Sequence, residues 1–188
     1  MATLTAEQTS LNQATSTRKA AFASLGLRSL LALAPLAGFG CVNLVAEAGG
    51  VMPLFFSPMG LPGWAGAVVH LALLFSLGLS MGLVFDKGRR GADATRWLVA
   101  LIAAMTIFPF LAAPLDSLTL ALIMTGVMLI ALAAAIRVAR ISRLGGWLMV
   151  PSLAWIGFGA ALGLAVSAAW SPPFALITAQ QAAPAAHG

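Results

Sequence analysis

The sequence predicts an all-α polytopic membrane protein, a bundle of five transmembrane helices, from three observations. The first is a set of five apolar segments, Ser29–Ala46, Trp64–Phe85, Trp97–Leu115, Leu118–Ile136 and Trp147–Trp170. Each runs about 18 to 24 residues, enough at 1.5 Å per residue to cross a hydrocarbon core roughly 30 Å thick. The second is charge. All ten Lys and Arg residues fall on one side of the pattern: Arg18, Lys19 and Arg28 before span one, Lys87, Arg89, Arg90 and Arg96 between spans two and three, and Arg137, Arg140 and Arg143 between four and five. Segments 47–63, 116–117 and 171–188 carry none. Cytoplasmic loops retain positive charge, so the N-terminus is expected inside and the C-terminus outside, as an odd number of spans requires. The third is Trp64, Trp97, Trp147 and Trp170 at span ends, where an amphipathic ring prefers the interface.

Composition agrees. Hydrophobic residues make up 61% of the chain and charged ones 8%, far from the soluble average. The net charge of +5 follows from topology and calls for no nucleic-acid partner. The lone Cys41 allows no internal disulfide.

Residues 1–28 form a cytoplasmic segment, polar over its first part and read as a disordered start merging into a short interfacial helix. Arg18, Lys19, Arg28, an apolar run and Ala46-Glu47-Ala48 imitate a cleavable signal. That run is longer than a signal core and holds Pro35, so it reads as a retained span. Gly38-Phe39-Gly40 ahead of Cys41 lacks the aliphatic residue of a lipoprotein signal. The membrane domain covers residues 29–170. Within it, the outer segment 47–63 is apolar but punctuated by Gly and by Pro53, Pro58 and Pro62, which argues for a non-helical lid over the bundle. Gly78 and Gly82 in span two, and Gly159 and Gly163 in span five, have the spacing that lets helices approach closely in lipid. They serve internal packing or a homodimer. Residues 171–188 are a low-complexity, flexible tail.

Few polar side chains fall inside the spans. His70, six residues after Trp64, lies about 9 Å below the outer boundary. Trp155, eight residues after Trp147, lies about 12 Å above the inner one. Asn43, Thr106, Pro109, Gly159 and Trp64 complete a set spanning the middle and outer half, beneath the lid. Pro109 bends its helix and the glycines leave room, so a ligand cavity is expected there. An ionisable residue at this depth is a functional candidate by default. His70 either ligates the metal of a haem or chlorophyll, with Gly66 one turn earlier making room for a flat macrocycle, or hydrogen-bonds Asn43, Thr106 or a carbonyl. The hydrogen-bonding role is the commoner one. No carboxylate pair, cysteine cluster, nucleophile triad or phosphate loop falls within the spans, so an enzyme is not expected.

Three stretches resemble the TspO/MBR family, the tryptophan-rich sensory proteins related to the translocator protein. Leu61-Pro-Gly-Trp-Ala-Gly-Ala-Val-Val-His-Leu-Ala-Leu-Leu74 is similar to the family's Pro-Pro-x-Trp-Val-Phe-x-x-x-Trp-x-x-Leu-Tyr. The run from Arg137 to Pro151 resembles its basic turn and the opening of its last helix. Val150-Pro-Ser-Leu-Ala-Trp155 matches Val-Pro-Tyr-Leu-x-Trp except at Ser152. Pro109 fits the third-helix Trp-Ser/Thr-Pro motif. The resemblance covers about residues 58–170 and implies five helices and a pocket for tetrapyrroles such as porphyrin, haem or a chlorophyll-type pigment, in transport, sensing or sequestration. The departures are His70, Leu74, Ala104, Ile107 and Gly163 where the family has Trp, Tyr, Asn, Trp and Asn, and the chain contains no Tyr. Of the family's aromatic lining, Trp155 persists clearly.

The leading expectation is therefore a TspO-like protein of a bacterial inner membrane that binds flat apolar small molecules. The competing expectation is a structural or assembly subunit of a larger membrane complex, for example a pigment-protein complex, that has lost the ligand site. Membrane lipid is a partner in both.

Overall fold

A computed structural model describes residues 26–170. The interfacial helix expected before span one, the C-terminal tail and the Trp170 side chain lie outside the described residues. Those described are helical with no strand. The helices are α1 (Gly26–Ala48), α2 (Gly63–Val84), α3 (Gly88–Leu111), α4 (Ser117–Ala139) and α5 (Arg143–Trp170). All five are long and apolar enough to cross a membrane.

Helix ends differ from the apolar segments in an instructive way. The apolar pattern of span three begins at Trp97, yet α3 starts at Gly88. Likewise α4 runs to Ala139 and α5 starts at Arg143. Charged residues stop a segment from residing in hydrocarbon, but they do not stop a helix, because Arg is a good helix former. At the other end α3 stops at Leu111 rather than Leu115. Pro114 disfavours helical backbone at Ala113, and Asp116 then caps α4. Its Oδ1 accepts from the Leu118 and Thr119 amides at 3.0 Å each, and its Oδ2 accepts from the Thr119 hydroxyl at 2.7 Å. Bonds from Thr119, its amide first, hold the Asp116 carboxyl below the usual carboxylate range.

Gly50 ends α1. It sits at φ 74°, its amide donates to the Glu47 carbonyl at 2.9 Å, and the Val51 amide donates to the Ala46 carbonyl at 2.9 Å. This pair of bonds is the Schellman arrangement, which needs left-handed backbone that glycine adopts without penalty. The chain leaves it without regular structure from Val51 to Ser57, makes one 3-10 turn at Pro58–Gly60, and enters α2.

In the bundle α4 packs along α5, α3 lies beside α4, and α2 contacts both α5 and α3. Leu74, Leu77, Leu98, Leu101, Met149 and Ile156 are fully buried among them. The glycine pairs hold the helices together within the chain. A Cβ on Gly78 would meet the Ala32 carbonyl oxygen at 2.6 Å and that of Leu31 at 2.7 Å, and one on Gly82 would touch Arg28 at 3.4 Å. Those two glycines seat α1 on α2. On α5, a Cβ on Gly159 would meet the Met124 methyl at 2.9 Å and one on Gly163 the Ala121 Cβ at 3.2 Å, so that pair seats α4. In lipid, such close approach supplies the dispersion contacts that replace a hydrophobic driving force.

Candidate functional site

The site grows from Pro109, which is fully buried in α3. A proline has no amide hydrogen, so the carbonyl one turn earlier, that of Met105, loses its helical donor. The His70 imidazole, on the facing helix α2, lies within reach of that carbonyl. The carbonyl of Pro109 is also free of a helical partner, because α3 ends two residues later. The Leu54 amide takes it, at 2.7 Å. Thus the outer loop satisfies one of two carbonyls freed near Pro109 and a histidine stands by the other; a buried carbonyl left without a partner would cost about 1–3 kcal/mol.

That bond pins the loop as a lid with its aromatic side chains inward. The Phe55 ring lies 5.5 Å from the His70 ring and 6.0 Å from that of Phe39. Phe39 in turn lies 5.5 Å from His70 and 5.7 Å from Phe110. Phe56 presents an edge to Trp155 at 5.5 Å and to Phe158 at 5.9 Å. These separations are those of favourable aromatic pairs. Gly66 gives the lid its seat, since a Cβ there would stand 2.5 Å from both the Phe56 carbonyl oxygen and the Ser57 hydroxyl.

Beneath and beside the lid are two chambers. The outer one, about 340 Å³, lies between Leu54–Ser57 of the lid, the end of α3 at Phe108 and Ala112, α4 at Ser117–Met124, and α5 at Gly159–Val166. Ser57 and Ser117 are its only polar side chains. Its size falls in the range of small-molecule sites. The inner chamber, about 40 Å³, holds His70, Gly66, Pro109, Trp155 and Ile156. The two share Leu54, Phe55, Phe56, Phe108 and Met124 as a partition. His70 is 8% exposed, and its Nε2 has no hydrogen-bond partner.

The expected site residues therefore separate. His70, Pro109 and Trp155 meet in the inner chamber, and Gly159 lines the outer one. Thr106 is buried but lines neither chamber. Asn43 lies in a different, lateral groove between α1, α2 and the lid, away from His70. Trp64 is 70% exposed, as suits an interfacial anchor. Of the partners considered for His70, the carbonyl of Met105 is the one within reach. Metal ligation does not suit the arrangement. An inner chamber about the size of a water molecule or two admits no macrocycle, and the space at Gly66 is filled by the lid itself. Sequence reasoning passes over Phe55, Phe56, Phe39 and Met124. The cue is present in the Leu-Phe-Phe of an otherwise Gly- and Pro-rich loop.

Five apolar helices, a lid from the first loop and a Trp155-lined pocket now stand together, and a comparison with known families gives the decisive observation. The model of the TspO/MBR family matches residues 31–169. The chain belongs to the TspO/MBR family. No curated protein matches it significantly. As a TspO/MBR member it is an integral membrane protein, in a family that is generally non-enzymatic, and the match extends through α1, beyond the stretch from residue 58 that carried the resemblance. Its departures now have positions. Ser152, where the family motif has Tyr, is fully buried with its hydroxyl unpartnered. His70, in the place of a family Trp, stands within reach of the carbonyl freed by Pro109. Gly163, in the place of a family Asn, makes way for Ala121 and opens the outer chamber.

Proposed function

We propose that the protein binds flat apolar molecules of the tetrapyrrole class in the outer chamber, for transport, sensing or sequestration, without catalysing a reaction. The observation that carries this reading is the 340 Å³ cavity, which has an apolar wall and a lid from the same chain. An apolar ligand gains dispersion contacts from such a wall, and the lid covers it on one side. The ligand lies edge-on between α4 and α5 and reaches toward Trp155 across the Phe56 partition. Trp155 is one of five tryptophans and touches that partition, so it reports binding.

The test is a titration of the purified protein with protoporphyrin and, separately, haem. Tryptophan fluorescence should be quenched, and in Trp155→Phe most of that quenching should be lost while the affinity stays within about twofold. His70→Leu should leave the haem spectrum unchanged, because His70 faces a carbonyl, but should lower the melting temperature as the Met105 carbonyl loses the imidazole beside it. Full quenching in Trp155→Phe would place the ligand elsewhere. The assembly-subunit alternative predicts instead an empty pocket and a stoichiometric partner on gentle solubilisation.

We further propose that the protein lies in a bacterial inner membrane with its arginine-bearing end in the cytoplasm. A reporter fused after Gly188 should then be active outside and one inserted near Gly91 active inside. The reverse pattern would overturn the orientation.

A further inference from the structure

Charge retention explains how many arginines lie at one end of the bundle, but not their convergence. Arg89 and Arg90 in the first turn of α3, and Arg137 and Arg140 at the end of α4, line a single groove of about 600 Å³ with Asp93 and Ile141. Four guanidiniums against one carboxylate leave it a net charge of +3. At its centre Arg137 is held in place. Its Nε donates to Asp93 at 3.0 Å, one terminal nitrogen donates to the Ala133 carbonyl at 2.9 Å, and the guanidinium stands 4.6 Å over the Trp97 ring. Two of its five N–H donors are used in this way. Arg89, Arg90 and Arg140 have no carboxylate within ion-pair distance among the described residues.

The groove continues into an apolar track. Leu129, Leu132 and Ile136 are exposed on α4 at 62%, 44% and 44%. They stand at i, i+3 and i+7, and Arg140 follows at i+11, so one face of the helix runs from apolar side chains to the arginines. A molecule matching this face carries a phosphate at one end and acyl chains at the other.

We propose that this groove is a binding site for an anionic phospholipid, with the phosphodiester among Arg90, Arg137 and Arg140 and an acyl chain along Leu129, Leu132 and Ile136. Planar guanidiniums fork onto phosphate oxygens, and a pre-oriented one at the centre loses little freedom on binding. The site is separate from the ligand chambers, which lie at the other end of α3 and α4.

Native mass spectrometry of the full chain, released from micelles doped equally with phosphatidylglycerol and phosphatidylcholine, tests it. The wild type should retain phosphatidylglycerol at least about tenfold more. Arg90→Gln combined with Arg140→Gln should abolish that preference with an unchanged melting temperature, since neither side chain has a hydrogen-bond or ion-pair partner among the described residues. Arg96→Gln combined with Arg143→Gln removes the same charge outside the groove and should preserve it. Equal retention of the two lipids, or equal loss in both double variants, would overturn the site. So would full displacement of phosphatidylglycerol by millimolar inorganic phosphate, which would mark a free-anion site.

Discussion

Replacing Gly159 with phenylalanine is expected to abolish binding of protoporphyrin, lowering affinity at least a hundredfold, about 2.8 kcal/mol. Gly159 lines the outer chamber, and a side chain built there meets first the Met124 methyl, at 2.9 Å, then the Phe56 ring at 3.8 Å. Methionine is unbranched and flexible, so its tip can withdraw and let the phenyl ring fill the space that a ligand would use. Overpacking of this sort costs the fold about 1–3 kcal/mol, so the melting temperature should fall modestly while binding disappears. Gly126→Phe is the matched control. Gly126 is exposed on α4, with nothing within 4 Å of the position a Cβ would take, and the substitution adds the same ring to the lipid face. Fluorescence titration of the two variants is the measurement. Wild-type affinity in Gly159→Phe would show that the ligand does not occupy this chamber.

The second large effect concerns the lid. Gly66→Val should unseat it, because the new Cβ would fall 2.5 Å from the Phe56 carbonyl oxygen and from the Ser57 hydroxyl. The carbonyl is backbone and cannot rotate away as a side-chain tip can. With a penalty of about 1–3 kcal/mol for an overpacked contact, the ratio of seated to lifted lid should drop about 5- to 150-fold. The Leu54 amide reports this directly, since its bond to the Pro109 carbonyl exists only when the lid is down. Its hydrogen exchange should accelerate by the same factor, while amides in the middle of α2 stay protected. An unchanged Leu54 rate would mean that the lid is held by its aromatic contacts alone. Protoporphyrin should enter and leave the Gly66→Val protein faster, in keeping with a gate role for the loop.

Pro109 also explains why His70 is tolerated at lipid depth. The proline creates a carbonyl without a helical donor, and an imidazole on the facing helix stands within reach of it. The two residues are thus a pair across α2 and α3. A chain with Pro109 but an apolar residue at position 70 leaves that carbonyl with nothing.

Membrane class, the five spans and the one-sided distribution of charge are legible in the chain alone. These are sums over long segments. Twenty apolar residues in a row, or ten basic residues confined to alternate loops, outweigh any local contact, because desolvating a backbone or a charge in hydrocarbon is costly wherever the neighbours lie. The lid can be read from Pro53, Pro58 and Pro62 for a similar reason, as local backbone chemistry. Helix ends are a different matter. The start of α3 lies nine residues before Trp97, because hydropathy marks the membrane boundary and not the end of hydrogen bonding. Which side chains meet is settled only by packing. Asn43, His70 and Thr106 lie at comparable depths along their helices, yet the rotation of each helix about its axis sends Asn43 to a lateral groove and His70 to the inner chamber. That rotation is set by single close approaches, Gly78 on Ala32 and Gly66 on the lid, where one methyl group is too much. Such constraints join residues far apart in the chain, so no local pattern records them.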